Sequence, residues 1–205
     1  MKAVDLDSWP RAAQFRFFRT FARPHYAITS RLDVTKLVAR KADVSPYRAC
    51  LYAIGAGLHH VPELRMRFRG DGVVLHDTVA LSMTVPNTSG SFNYAYVPHI
   101  PDFEQFDREA KTLIDAVAQS EDFGAHVGET DALAYLSCLP WLDFTSMNNP
   151  LPGPDDSIPR ISWGKFVPEG GRMRMAMTLE VHHALVDGQH VGDYFAKVQN
   201  VLDAF

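Results

Sequence analysis

The segment from Arg172 to His183 restricts the fold more than any other part of the sequence. Its side chains alternate in character, and one face carries Met173, Met175, Met177, Leu179, Val181 and His183. This period of two predicts a β-strand with one buried face. The apolar segment 161–167 precedes it, and the intervening Pro-Glu-Gly-Gly of 168–171 predicts a β-hairpin turn. Helical spacing of apolar residues from about Gly188 to Phe205 predicts that a helix follows the strand.

The rest of the chain also mixes helix and strand patterns. Helices are expected from Ser8 through Phe21, for a turn or two within 33–42, from Ser45 to about His60, and after Asp102 as the N-cap. Strands are expected at 63–68, 73–85, 91–97 and 133–139, whereas the five prolines of 140–159 predict a loop. No internal repeat, long linker or composition break divides the sequence. We therefore expect an α/β fold in a single domain, residues 1–205.

Charge and composition exclude several classes of protein. Lys and Arg number 20 against 24 Asp and Glu, a net charge of −4 without any dense basic cluster, which argues against a nucleic-acid partner. No stretch approaches the roughly 18 apolar residues of a membrane span, and the N-terminus does not resemble a secretory signal. Cys50 and Cys138 have no neighbouring cysteine with which to form a redox motif or zinc site. We expect a cytoplasmic protein that does not bind a membrane.

The histidines give no metal-binding pattern. His59-His60 and His182-His183 are adjacent pairs, and neighbouring side chains on a helix or strand point apart. The others have no recognisable ligand spacing; they are His25, His76, His99, His126 and His190. We therefore expect no bound metal.

His183 is the strongest candidate for chemistry. It is the last residue on the apolar face of the strand, and Asp187-Gly188 shortly after it predicts the turn into the last helix. An imidazole placed there is partly shielded from water, so its neighbours set its proton affinity. Taken alone, such a histidine is more often a hydrogen-bonded core residue than a catalytic one.

The surrounding motif changes that balance. His182-His183-x-x-x-Asp187-Gly188 resembles the signature of the chloramphenicol acetyltransferase family and of its distant relatives, the dihydrolipoamide acyltransferases and condensation-type acyltransferases. Further matching segments occur in the family's order: Trp9-Pro10-Arg11, 28–35, 62–67 with 73–77, and 137–146. The resemblance covers nearly the whole chain. It implies a two-layer sandwich in which a mixed β-sheet packs with helices, and a homotrimer with active sites at the subunit interfaces.

The resemblance also implies catalytic roles. His183 would be the general base that deprotonates the acceptor hydroxyl as it attacks acetyl-CoA, and Ser137 would donate a hydrogen bond to the oxyanion. Asp187 would pair with Arg11 and hold the site in place rather than relay a proton. Ser162 stands where many relatives have a threonine that holds a water near the transition state.

Two groups of binding residues follow from the same resemblance. Residues expected near CoA are Trp141, Lys165 and Phe166. Residues expected in the acceptor pocket are Phe18, Phe92, Tyr94, Met147 and Asn149. The implied co-substrate is acetyl-CoA, and the implied acceptor is the small hydroxyl compound chloramphenicol.

Several positions depart from the family pattern, and they leave the acceptor open. Phe18 replaces a common tyrosine, Tyr94 a smaller residue, and Met147 and Asn149 larger apolar residues, while Glu180 stands for glutamine. The alternatives are the same reaction on another hydroxyl compound, acyl transfer to a dihydrolipoamide-type thiol, and a trimeric small-molecule binder without catalysis. Replacement of His183 by alanine would distinguish the binder from the enzymes.

Overall fold

The computed structural model describes residues 1–125 and 130–205, so His126 lies outside the described residues. The strands are β1 (Lys2–Ala3), β2 (His25–Asp33), β3 (Met66–Arg69), β4 (Gly72–Leu75), β5 (Ala80–Pro86), β6 (Phe92–Val97), β7 (Leu133–Leu139), β8 (Arg160–Glu169) and β9 (Arg172–His182). The helices are α1 (Ala12–Phe18), α2 (Thr35–Ala39), α3 (Pro46–His60), α4 (Phe103–Ala118) and α5 (Gly188–Leu202). Helices and strands are interspersed along the chain, as the α/β expectation requires.

A six-stranded mixed sheet forms the centre of the molecule. Its strand order is β2-β9-β8-β7-β5-β6, with β7 parallel to both β5 and β8 and the other pairs antiparallel. A smaller sheet has the order β1-β4-β3. The mixed sheet expected from the resemblance is therefore confirmed.

The two faces of the large sheet differ in chemistry. Because partners in register point to the same side, the face that carries Ile161 also carries Leu136 and Leu179. The opposite face, which we call the polar face, carries Ser82, Tyr135, Ser137, Arg160, Ser162, Thr178 and Glu180. The chain therefore builds its hydrophobic core on one side of the sheet and places its polar groups on the other.

Helices cover the apolar face. Tyr194 of α5 is fully buried, and its hydroxyl lies 3.7 Å from the Met177 sulfur on β9. Gly57 of α3 lies against the same ring, and a Cβ at Gly57 would come within 2.8 Å of Val198 as well. The close approach of α3 to α5 therefore requires glycine at this position. No helix of the described chain combines the length and apolar character needed to cross a membrane.

The proline-rich loop 140–159 covers the polar face. The carbonyl oxygen of Pro154 lies 2.9 Å from His182 Nε2, and that of Asp156 lies 2.6 Å from His25 Nε2. Asn149 contacts Glu180 through both its backbone and its side chain. These contacts explain why Glu180 and His182 are buried although they lie on the side away from the helices.

Local patterns placed most elements correctly. Ser45 and Asp102 cap α3 and α4 through their side chains, as expected. The expected single strand 73–85 was wrong: β4 ends at Leu75 in the small sheet, and β5 begins at Ala80 in the large one. Arg65 donates hydrogen bonds to the carbonyl oxygens of His76 and Asp77 between them. The first helix begins at Ala12 rather than Ser8, whose hydroxyl bonds the Asp5 carboxylate instead.

Candidate active site

His183 lies just beyond the end of β9, between two aromatic rings. Phe18 of α1 stacks on the imidazole with centroids 3.8 Å apart and planes 9° apart, and Tyr26 of β2 packs at 4.8 Å. The backbone N–H of His183 donates to the Pro24 carbonyl oxygen at 3.0 Å. Nδ1 is buried without a hydrogen-bond partner among the described groups. The ring is thus held between two aromatic side chains, with Nδ1 buried.

The ion pair between Arg11 and Asp187 helps to hold His183 in this position. An Arg11 guanidinium nitrogen donates to the Asp187 carboxylate, and its other terminal nitrogen donates to the His183 carbonyl oxygen at 3.3 Å. Burial raises the pKa of Asp187, but the charges of Arg11 and His190, together with the backbone N–H groups of His190 and Gln189, hold that pKa below its usual value. Asp187 also caps α5 by accepting from the backbone N–H of Gln189 and His190. We call Arg11, Phe18, Tyr26, His183 and Asp187 the histidine half-site.

Ser137 lies at a separate cavity on the polar face. The cavity has a volume of about 370 Å³ and is lined by Ser137, Tyr94, Tyr135, Asn149 and Arg160, among others. We call these five residues the serine half-site. Ser162 is adjacent to Ser137 in strand register, is 1% exposed, and has no hydrogen-bond partner for its hydroxyl among the described residues.

The two half-sites face opposite sides of the sheet. Tyr26, which contacts the His183 ring, is paired with Val181 of β9. Ser137 is paired with Ser162 of β8, which in turn is paired with Thr178 of β9. Val181 comes three positions after Thr178 along β9, an odd number, so the two side chains point to opposite faces of the sheet. Strand spacing and rise per residue separate His183 from Ser137 by roughly 20 Å. One chain therefore does not bring the expected base and the expected oxyanion donor together.

Two departures from the family pattern contact each other. The backbone N–H and the side-chain amide of Asn149 both donate to one Glu180 carboxylate oxygen, at 2.8 and 2.9 Å. Glu180 is 5% exposed, so these bonds satisfy a buried carboxylate. The pair also holds the loop 140–159 against the sheet.

The other residues expected to bind CoA or the acceptor differ in how exposed they are. Trp141 and Lys165 are exposed, and the Lys165 backbone N–H bonds the Leu142 carbonyl oxygen at 2.7 Å, which keeps their segments together. Phe166 is half-buried and packs against the core. Phe92 is exposed beside Tyr94, with ring centroids 5.8 Å apart. Met147 is half-buried in the covering loop.

Sequence reasoning missed three residues of these half-sites, Tyr26, Tyr135 and Arg160, and it also missed Ser82 in the cavity lining. Tyr135 and Ser137 alternate with apolar residues on β7, and Arg160 and Ser162 do so on β8. That spacing was a usable signal for a polar sheet face. In the described residues, no three His, Cys, Asp or Glu side chains are grouped as metal ligands, and Cys50 and Cys138 are free thiols.

Comparison with solved structures relates this fold to known enzymes. The Azotobacter vinelandii dihydrolipoamide acetyltransferase aligns with a TM-score of 0.66 at 16% identity, covering 93% of this chain and 86% of that one. That likeness shows a shared fold. A chloramphenicol acetyltransferase structure aligns with a TM-score of 0.90 at 31% identity, covering 98% and 100%. The fold and the histidine motif thus define a transferase of the acyltransferase class.

Sequence comparison gives the family. A family described as chloramphenicol acetyltransferase matches residues 1–199. The chloramphenicol acetyltransferase of Bacillus pumilus is 27% identical, over 94% of this chain and 89% of that protein. Chloramphenicol acetyltransferase 3 of Escherichia coli is 26% identical, over 98% and 96%. The chain belongs to the chloramphenicol acetyltransferase family, as its motif indicated.

Proposed function

We propose that this protein transfers an acetyl group from acetyl-CoA to a hydroxyl group of chloramphenicol. The family and the names of its relatives support the reaction. The observation that carries the proposal is the position of His183, with one ring face on Phe18, Tyr26 beside it and Nδ1 buried. The whole chain, residues 1–205, would act as one acyltransferase domain.

His183 would act as general base through Nε2. This requires the neutral tautomer with its proton on Nδ1, which leaves the Nε2 lone pair free. Nε2 takes the proton of the acceptor hydroxyl, and the oxygen attacks the thioester carbonyl carbon. The tetrahedral oxyanion then collapses, the C–S bond breaks, and the CoA thiolate leaves with the proton from the imidazolium. A positioned base of this kind contributes about 10²- to 10⁴-fold.

Ser137 of a second copy would donate to the oxyanion. The half-sites face opposite sides of one sheet, so a complete site needs the histidine half-site of one chain against the serine half-site of another. The two surfaces differ, which makes the contact heterologous, and a closed ring is the ordinary outcome of such contacts. The family resemblance supports a ring of three. Large exposed aromatic side chains support an interface as well: Phe17 is 59% and Trp141 69% exposed.

Trp141 and Lys165 would contact CoA, with the ammonium group of Lys165 near a phosphate. Phe166 would contribute less to CoA binding, because its side chain packs against the hydrophobic core. Ser162 would hold a water through its unpaired hydroxyl. The two free thiols fit the reducing cytoplasm.

The experiment is release of the CoA thiol from acetyl-CoA, with and without chloramphenicol. We expect chloramphenicol-dependent release by the wild type and a loss of at least about 100-fold in kcat for His183→Ala. His60→Ala is the matched control, since His60 is an exposed histidine on α3. A non-catalytic binder would release no thiol with any acceptor. Equal turnover of His183→Ala and His60→Ala would refute the assigned base.

A further inference from the structure

We propose that the acceptor cavity is built for a neutral, hydroxyl-rich compound such as a glycoside, held by hydrogen bonds to the polar face of the sheet. This inference rests on the proposed acetyl transfer and names the substrate class of the same site. It goes beyond chloramphenicol, which carries fewer hydroxyl groups than a glycoside.

The first argument is the lining of the cavity. Half of its residues carry a hydroxyl group: Ser82, Thr84, Tyr94, Tyr96, Tyr135 and Ser137. They belong to β5, β6 and β7, which are neighbouring strands of one sheet. The rigid sheet therefore holds these groups in fixed positions around one small volume, which favours a ligand with several hydrogen-bonding groups.

The second argument is that several of these hydroxyls have no partner within the described chain. The oxygen of Ser82 is buried and forms no hydrogen bond with the described residues, so it is not exposed to the cavity. The hydroxyls of Tyr94 and Tyr135 form no hydrogen bond with the described residues, and both side chains are half-buried beside the cavity. Covering such groups with an apolar ligand costs free energy, because each would lose water without gaining a bond. A hydroxylated ligand replaces that water with direct bonds.

The third argument is charge, which excludes an acidic ligand. Arg160 lines the cavity, but its guanidinium is paired with Asp156 at 2.5 Å and lies 5.3 Å from the Tyr135 ring centroid. Glu180, buried and in register with Arg160, adds a second carboxylate on this face. Of these three groups only Arg160 lines the cavity, and its charge is already balanced by Asp156, so an anionic acceptor would be desolvated without a free cation to pair with. The cavity favours neutral donors and acceptors.

The test compares three kinds of acceptor of similar size: chloramphenicol, neutral p-nitrophenyl β-D-glycosides (glucoside, galactoside and mannoside), and p-nitrophenyl β-D-glucuronide. Thiol release from acetyl-CoA gives kcat/KM for each. We expect transfer to at least one neutral glycoside, with kcat/KM at least about tenfold above that for the glucuronide, since desolvation of an unpaired carboxylate costs more than about 1.4 kcal/mol.

Two variants connect this preference to the cavity. Tyr135→Phe keeps the ring that lies beside Arg160, and Tyr94→Phe keeps the ring that packs on Phe92 and Phe123. Each removes only a hydroxyl that has no hydrogen bond to the described residues, so neither is expected to lower the melting temperature. Each should lower the ratio of kcat/KM for glycoside to that for chloramphenicol by about three- to tenfold, the value of one neutral hydrogen bond. Tyr52→Phe is the control, because its exposed hydroxyl bonds the Pro101 carbonyl oxygen outside the cavity. It should leave the ratio unchanged.

The outcomes separate this inference from the function on which it rests. Transfer to chloramphenicol but to none of the glycosides would overturn the inference and leave the proposed function intact. An equal or higher rate with the glucuronide, or an unchanged ratio in both cavity variants, would also overturn it. Absence of transfer to every acceptor would overturn both.

Discussion

At the scale of residues, Asn149 and Glu180 show how one departure from a family pattern compensates another. Each is unusual alone: an amide in an expected apolar pocket, and a carboxylate on a buried sheet position. Together they satisfy each other, since both N–H groups of Asn149 donate to Glu180. A buried carboxylate that loses such a donor pays its desolvation cost without compensation.

We predict that Asn149→Leu lowers the free energy of unfolding by about 1–3 kcal/mol, the cost of leaving a buried polar group short of a partner. Asn148→Leu is the control, because Asn148 is an exposed neighbour in the same loop. The double variant Asn149→Leu with Glu180→Gln should regain part of the loss, since it removes the charge. Urea unfolding measures all three. Equal stability of the Asn149 and Asn148 variants would contradict this account.

The sequence identified both positions but not their contact. Asn149 lies in the proline-rich loop 140–159, and nothing in the composition of this loop indicates which sheet residue it covers. The same limit applies to Arg160, whose partner Asp156 is local but whose place at the cavity depends on the register of β7 and β8. Candidate residues could be named from motif spacing, whereas contacts that depend on strand register could not be predicted.

At the scale of elements, the end of α3 depends on a neutral histidine. His59 Nδ1 lies 2.8 Å from the Gly55 carbonyl oxygen, and Nε2 accepts from the Val79 backbone N–H at 3.3 Å, just before β5. Its ring stacks on His99 at 3.7 Å. Burial lowers the pKa of His59 to about 4. Burial likewise lowers the pKa of His182, on the polar face, to about 4.

We predict that stability falls as the pH is lowered from 6.5 toward 4. The folded-state pKa values of both histidines lie below the usual value of 6.5, so in this window the unfolded chain binds protons that the folded chain does not. The contribution of the neutral histidines is complete above pH 6.5. Carboxylates with lowered pKa, such as Asp187, lose their contribution only at pH values below this window.

Urea midpoints at pH 7.5 and 5.0 measure the effect. His59→Gln should show a smaller loss between the two pH values than the wild type, whereas His60→Gln, at an exposed neighbour, should match the wild type. A midpoint that does not change between pH 7.5 and 5.0 in the wild type would contradict the prediction.

Elements were predictable where their signals are local. The caps of α3 and α4 and the glycine turn between β8 and β9 each depend on a few adjacent residues. β2 was not recognised as a strand, because it is an edge strand whose exposed and half-buried residues do not alternate clearly. Arg65, which precedes β3, bonds the backbone between β4 and β5. The apolar character of the sequence continues through this segment, so it did not indicate that one strand ends and another begins.

At the scale of the whole molecule, the chain contains two half-sites that it does not join. The histidine half-site lies at the β2 edge on the apolar side, and the serine half-site lies on the polar face. The sequence motif named members of both without showing that the sheet separates them. A ring of copies would join them at each contact, and each copy would contribute to two sites.

The most direct test of this shared site uses two inactive variants. His183→Ala and Ser137→Ala chains, carrying different tags, are co-expressed, and mixed trimers are isolated by both tags in turn. In every mixed ring, one contact places an intact His183 against an intact Ser137. The account predicts thiol release at about one third of the wild-type rate, although each parent alone is at least about 100-fold impaired. Mixed trimers no more active than their parents would show that both residues of a site come from one chain.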